Sequence, residues 1–398
     1  MDPAASPRFD PESVLPGPPD PWHGSTMPPV RTGPPWAMTE MIAAEPAFAE
    51  RLLGRLVEPG SRAAGLARSI RACVGSGRAV WLVGCGTSEH GAQGGALILA
   101  HALRQAGLPP AVRAVQAFEA SLEPQDAGLL VAISHEGGTW ATNRALQAAR
   151  DAGTPTALIS VGAGSPGAAL ADLVVTTDEQ DQSWCHTVGY LSPLLAAAAV
   201  AQHLAGVPLD PVAIRALLAA GSRQTAAAES IASGLATSAR LLVVGSGADR
   251  PAARELGLKV EEASYLPTAV RDLETILHGH LPATDASTGL VLLLADQDGR
   301  AERTARARGV LAACRAIGLS AAAILAEAVS SVVPQELTPL GRLIAPDAPG
   351  LAAPMAALLG TVTPLQLVTE RLARARGTDP DTLRRTEARY REAGAQVE

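Results

Sequence analysis

Two stretches far apart in the chain carry the same local pattern. AVWLVGCGTS at 79–88 and ARLLVVGSGAD at 239–249 are each an apolar run that ends in G-x-G and opens a helical segment. A short Val/Leu-rich run bounded by glycine reads as a strand buried on both faces, and the small residues after it let a helix begin at once. Around the first copy, further strands are predicted at 111–119, 129–139, 156–161 and 172–177, separated by helical stretches at 91–106 and 140–152. A long helical stretch, 188–204, closes this half. After a proline-containing break at 208–211 the pattern restarts. A helical segment at 212–235 leads to the second G-x-G strand, then to strands at 289–295, 321–325 and 342–345 and a last helix at 350–374. Strands alternating with crossover helices imply parallel sheets with right-handed connections. The expected fold class is therefore α/β, two tandem doubly wound parallel-sheet units of three αβα layers, at 36–210 and 211–376. In such sheets ligands sit beyond the C-terminal strand ends, near helix N-termini.

Composition narrows the function classes. Apolar residues make up 47% of the chain, enough for two cores, and come from Ala, Leu and Val, since aromatics make up only 3%. A net charge of −7, with no basic tract and no interleaving of arginine with aromatics, argues against a nucleic-acid partner. Cys73, Cys85, Cys185 and Cys314 are scattered with no C-x-x-C pair, so neither a metal nor a disulfide framework is expected, and a reduced cytoplasmic setting is. No apolar run approaches the roughly 20 residues that span a bilayer, so no membrane partner is expected. Residues 1–35 are dense in Pro and Gly without periodicity and are not a signal peptide; they are expected to be a disordered or loosely draped tail.

Lys259 is the single lysine among 32 basic residues. Where composition favours arginine so strongly, a retained lysine points to a task for a compact ammonium that a planar guanidinium does not perform. Glu255, Lys259 and Glu262 fall at i, i+4 and i+7, one face of a helix. Such a row can hold a carboxylate beside a cation and shuttle protons; the alternative is a solvated salt-bridge ladder of little energetic weight. Two turns have the make-up of an anion site: Gly86-Thr87-Ser88 after the first strand, and Ser134-His135-Glu136-Gly137-Gly138-Thr139 after the third. Helix N-termini there offer N–H groups and partial positive charge. The alternative is that Ser and Thr merely cap the two helices. Gly84, Gly86 and Gly91 miss the dinucleotide spacing, so no nicotinamide or other cofactor is expected.

Four motifs in order, MTEMIAAEP, GCGTSEHG, ISHEGGTWAT and ELGLKVEEASY followed by LHGHL, give the chain a resemblance to the double SIS (sugar isomerase) family, which includes the isomerase half of glucosamine-6-phosphate synthase. The resemblance covers about residues 36–377. It implies two tandem SIS units, and a homodimer with a shared active site on a carbohydrate substrate. Thr87, Ser88, Ser134 and Thr139 match phosphate-binding hydroxyls. Glu262 matches the base that moves a proton between C1 and C2 through a cis-enediol, with Glu255 and Lys259 the charged positions beside it. His278 matches a histidine that assists ring opening from the neighbouring subunit. Lys259 is expected to supply charge to the enediolate oxygen and to keep Glu262 ionised.

Departures from the pattern matter. Glu136 places a carboxylate where the family has a small polar residue, which repels a dianion unless it points away or pairs with an arginine. Trp184 and His186 replace small residues in the loop 181–187. The binding set is thus Thr87, Ser88, Ser134, His135, Glu136, Thr139 and His186. The C-terminal segment 377–398 has no lysine to form a Schiff base; its Arg384, Arg385 and Arg389 are candidates to close over an anion or members of a solvated face. The glutaminase domain of the synthase is also missing, so no glutaminase activity is expected. His90 can face the site or the surface, and His280 can line the pocket or cap a loop. His101 and His203 read as structural, Cys85 as a buried apolar residue. The pair His278 and His280 lacks carboxylate or cysteine neighbours for a metal. The leading expectation is an aldose–ketose or amino-sugar isomerase; a ketosamine deglycase and a non-catalytic sugar-phosphate sensor remain alternatives.

Overall fold

A computed structural model describes residues 9–22, 31, 33–122 and 127–396. Among the described residues ten strands form two sheets, with all pairings parallel. The first holds β1 (Ala79–Gly84), β2 (Val112–Gln116), β3 (Ala127–Ile133), β4 (Thr156–Ser160) and β5 (Leu173–Thr176), in the order β2-β1-β3-β4-β5. The second holds β6 (Arg240–Val244), β7 (Thr268–Arg271), β8 (Thr288–Leu294), β9 (Ser320–Ala326) and β10 (Gly341–Ala345), in the order β10-β9-β8-β6-β7. Counted within its own half, the second order is the first read from the opposite edge, so the repeat seen in sequence is a repeat of topology. The central strands β3 and β8 are buried at every position, as expected for strands covered on both faces.

The strand order reverses between β1 and β3 in one half and between β6 and β8 in the other. Val83 lies opposite Ala132, so β1 and β3 end at the same level, whereas Val244, the last residue of β6, lies opposite Leu292 and β8 runs on to Leu294. A glycine, the last residue of β1 and the first after β6, makes each corner compact. A Cβ on Gly84 would come within 2.5 Å of the Ser88 backbone, and one on Gly245 within 2.8 Å of Asp249. Only glycine lets the next helix start so close to its strand.

Inner helices join the halves. Thr87–Gln105 and Val188–Ala205 of the first pack against Asp249–Ser264 and Ala353–Arg376 of the second, and one apolar core runs from Leu82 and Val131 through Leu194 to Val243 and Leu365. Val188–Ala205, with a mean hydropathy of 1.3 over 18 residues, is long and apolar enough to cross a membrane, contrary to the expectation from sequence, yet 83% of it is buried inside this core. It is apolar all round because it is covered all round.

Three expectations are corrected. Residues 9–22 do not trail from the fold. Leu15 is buried, its N–H donates to Glu179 Oε2 at 2.8 Å, and Gln180 N–H donates back to Pro16 O at 2.8 Å. Arg51 clamps the same Glu179 at 2.7 Å and reaches the Ser13 carbonyl at 3.2 Å. Proline-rich chain is stiff and extended, so a few anchors suffice to fix it. Residues 1–8, 23–30 and 32 of the 1–35 tail lie outside the described residues. The strand predicted over 111–119 stops at Gln116, where Ala117–Leu122 turns helical. The four-residue strand β7 was not anticipated: it is a half-buried edge strand too short to show a period.

Candidate active site

The reversal between β1 and β3 opens into a cavity of about 690 Å³. Cys85, Gly86, Thr87 and Ser88 form one wall, and His135, Glu136, Gly138 and Thr139 the other. Ser134 lies just beneath, donating from its hydroxyl to Thr139 Oγ1 at 3.3 Å. Capping does not account for these hydroxyls. Thr139 is the N-cap of Trp140–Asp151 and makes no side-chain cap bond, while Thr87 donates to Glu255 Oε1 at 3.2 Å.

The charged row lies on Asp249–Ser264, a helix of the second half that passes under the first half's cavity. It is not a surface ladder. Glu255 and Lys259 are fully buried, and Glu262 alone reaches the cavity, its side chain 26% exposed. Lys259 Nζ donates to Glu262 Oε2 at 2.6 Å and stands 3.7 Å from Glu255 Oε1. Burial works against the ammonium charge, but Glu262 and Glu255 more than offset it and raise the lysine pKa. Burial likewise opposes ionisation of Glu255. Lys259, His90 and Thr87 outweigh it and hold the carboxyl below the ordinary carboxylate range. His90 Nδ1 lies 2.7 Å from Glu255 Oε2, so His90 is a buried partner of the row and not a surface residue. One expectation changes here: the Lys259 ammonium does not line the cavity, so it acts on a ligand only through Glu262.

The loop 181–187 forms the floor. Buried Asp181 accepts N–H bonds from Ser183, Thr187 and Gly189 at 2.6 to 2.9 Å. His135 Nε2 accepts the Asp181 N–H at 3.0 Å, and the His135 and His186 rings lie 5.1 Å apart. Burial and then the neighbouring His186 push the His135 pKa down to about 3, so it is a neutral imidazole near pH 7. Glu136 accepts from Gln180 Nε2 at 3.3 Å and faces the cavity.

His278 is elsewhere in this chain. Its side chain is 70% exposed and pairs with Glu274 at 2.7 Å. His280 lines a separate basic recess with Arg250, Arg254 and Arg271. Among the described residues no group of three or more His, Cys, Asp or Glu is placed to hold a metal ion.

No protein-family model and no curated protein sequence matches the chain. Solved structures do. The C-terminal domain of glucosamine-fructose-6-phosphate aminotransferase from Francisella tularensis superposes with a TM-score of 0.74 at 19% identity, covering 89% of this chain and 99% of that one. Tagatose-6-phosphate ketose/aldose isomerase from Escherichia coli gives 0.69 at 17%, covering 90% and 97%. Glucosamine-6-phosphate deaminase from Thermotoga maritima gives 0.57 at 16%, covering 83% and 97%. This is the tandem SIS fold. At these identities the likeness is one of architecture.

Within the SIS fold, the structure brings Thr87, Ser88, His135, Glu136, Thr139, His186 and Glu262 to one cavity, sets Ser134, Glu255 and Lys259 directly beneath, and leaves His278 outside it. Two wall residues were missed in sequence. Trp22 reaches in from the N-terminal segment, its Nε1 donating to the Glu136 carbonyl at 3.2 Å. Leu383 enters from the C-terminal segment beside Arg385. A tryptophan inside a proline-rich stretch, in a chain with only five, was the available signal for the first.

Proposed function

We propose that this protein is an aldose–ketose isomerase acting on a sugar phosphate or a closely related anionic sugar, with Glu262 as the base. The observation that carries the reading is the exposure of one carboxylate of a buried charged row, Glu262, in a cavity walled by two hydroxyl-bearing turns at a strand-order reversal. The names of the structures sharing the fold, isomerases and a deaminase of sugar phosphates, support the same substrate class.

Glu262 takes the proton from C2 of the open-chain aldose while the C1 carbonyl oxygen takes up another, giving the cis-enediol. Return of the proton from Glu262 to C1, with loss of the proton on O2, leaves the ketose. Lys259 holds the carboxylate in one orientation, and a positioned base is what this step needs. The outward-facing His278 is assigned to a partner subunit's cavity in a homodimer, where it assists ring opening. Free thiols at Cys73, Cys85, Cys185 and Cys314 support a reduced, cytoplasmic setting.

Solvent deuterium incorporation at C2, followed by NMR over a panel of hexose and pentose phosphates, tests the base. Glu262→Gln should slow exchange by about 10²–10⁴-fold. Exchange that persists at the wild-type rate, or no exchange with any sugar in the panel, sinks the assignment; amine release from a ketosamine phosphate redirects it to deglycation. Mixing His278→Ala with Glu262→Gln subunits should restore partial activity, and absence of rescue counts against a shared site.

A further inference from the structure

The proposed isomerisation moves protons on oxygen as well as on carbon. One proton must reach O1 as C2 is deprotonated, and one must leave O2 as C1 is protonated. Glu262 works between the carbons, so a second group has to serve the oxygens. Imidazole suits that task, because one ring nitrogen donates while the other accepts. Two histidines are among the described residues that line the cavity, His135 and His186.

His135 is already committed. Its Nε2 accepts the Asp181 N–H at 3.0 Å, which leaves the proton of the neutral ring on the buried Nδ1. Burial and then the neighbouring His186 push its pKa down to about 3, so it takes no second proton near neutral pH.

His186 is placed differently. It lies on the cavity floor with its side chain 26% exposed. Its Nδ1 is buried and stands 3.7 Å from Asp181 Oδ2, within ion-pair reach though longer than a hydrogen bond. The opposite edge of the ring, with Nε2, is left to face the cavity. Burial opposes ionisation of Asp181. His186, His135 and the Gly189 N–H outweigh it and hold the carboxyl below the ordinary carboxylate range. An ionised carboxylate so placed stabilises the imidazolium that forms when the ring takes a second proton. Neutral His135, its ring 5.1 Å away, adds no competing charge.

The loop also fixes this ring beside the base. The Cys185 thiol, one residue before it, donates to the Lys259 carbonyl at 3.8 Å, on the helix that bears Glu262. The Thr187 carbonyl, one residue after it, accepts from Gln366 Nε2 at 3.2 Å. Gly189 packs against the root of the side chain, where an added Cβ would come within 3.1 Å of His186 Cβ.

We infer that His186, backed by Asp181, is the general acid–base that serves the sugar oxygens while Glu262 serves the carbons. As Glu262 takes the C2 proton, the His186 imidazolium gives its Nε2 proton to O1, and the enediol forms with the ring neutral. As Glu262 returns its proton to C1, His186 Nε2 takes the proton from O2. The ketose is complete and both groups are restored. This inference rests on the proposed isomerase reading and names the proton carrier that reading requires.

One NMR time course in deuterated water separates the two tasks, by comparing deuterium at C2 of the recovered aldose with ketose formed. Without a carrier for the oxygens, the intermediate still picks up a proton at C2 but rarely goes forward. His186→Gln should lower conversion by about 10²–10⁴-fold and C2 exchange by less, raising exchange per conversion about tenfold or more. An unchanged ratio overturns the assignment, whether both rates fall together, as a mere loss of cavity shape would cause, or neither falls. Should both rates in that variant be too slow to compare, His186→Ala with added imidazole decides. Conversion regained in proportion to imidazole, with no such gain in Glu262→Gln, supports the assignment; no gain, or an equal gain in both variants, overturns it. Wild type that neither exchanges nor converts any sugar of the panel sinks the isomerase reading and this inference with it. An active wild type with an unchanged ratio in His186→Gln removes His186 alone.

Discussion

The two strand-order reversals began with one architecture and ended in opposite states. At the first, the turns after β1 and β3 leave a cavity with hydroxyls on its walls. At the second, the equivalent turns are filled by the chain's own charges. Asp249 accepts the Ala295 N–H at 3.0 Å and the Asp296 N–H at 3.1 Å, Asp296 accepts the Ala248 N–H at 2.8 Å, and Arg303 pairs with Asp296 while donating to the Ser246 carbonyl at 3.2 Å. Backbone N–H groups that would otherwise face a ligand are occupied by internal carboxyl oxygens. A single helix links the two outcomes. Asp249 at its start plugs the second reversal, and Glu262 near its end serves the first. The two halves share one topology, and a helix of the second passes under the first one's cavity and brings Glu262 to it.

The sharpest way to break this comparison is to remove the ammonium on which the shared helix depends. Lys259→Met leaves the buried Glu255 without its cationic partner, and deleting one member of a buried ion pair costs about 3–5 kcal/mol. Urea unfolding should show that loss together with lost C2 exchange. A variant of wild-type stability would mean that the row is solvated and that the helix carries no such load.

The plugged reversal has its own signature. Burial raises the Asp249 pKa from its ordinary 3.8 to about 7, despite the backbone N–H bonds it accepts. Between those values the folded protein holds a proton that the unfolded chain has released, so this group's contribution to stability falls as pH rises from about 4 to about 7 and is level above that. Asp296 and Arg303 face it directly. Asp249→Asn keeps an acceptor for the N–H groups and cannot ionise, so the difference in unfolding free energy, variant minus wild type, should grow in the variant's favour by up to about 1.4 kcal/mol per pH unit across that window. Exchange at C2 should not change at all. A flat difference would show that Asp249 is already ionised, and a loss of exchange would show that the two reversals are not functionally separate.

Much of this was legible in sequence because the instruction was local. The G-x-G pairs mark both strand ends, and the i, i+4, i+7 spacing places Glu255, Lys259 and Glu262 on one helix face without knowledge of what lies beside it. What stayed hidden depends on distant partners. Spacing cannot tell that Lys259 would be sealed from the cavity, because the depth of a helix face is set by the elements that cover it. His90 was ambiguous for the same reason: its partner, Glu255, lies 165 residues away. β7 was lost because four half-buried edge residues show no period. The N-terminal segment was misread because proline-rich composition describes a chain without a core of its own, and this one borrows the core of the first half through Leu15.

That segment gives the mildest test, since the first reversal is walled partly by chain termini while the second is closed by its own loops. Trp22 packs over Gly138, where an added Cβ would come within 2.8 Å of the indole, so the wall needs both residues. The indole is half-buried and held by one hydrogen bond, worth about 0.5–1.5 kcal/mol, while the strap keeps its anchor at Leu15 and Glu179. Trp22→Ala should therefore lower stability by no more than about 1.5 kcal/mol and act mainly on KM, raising it severalfold for the sugar that shows exchange, with kcat little changed, because the wall positions substrate and does not touch the migrating proton. Gly138→Val, which displaces the indole without removing it, should give the same KM shift. If both variants keep the wild-type KM, the N-terminal segment packs on the fold without shaping the cavity, and the open reversal is built by the first unit and the shared helix alone.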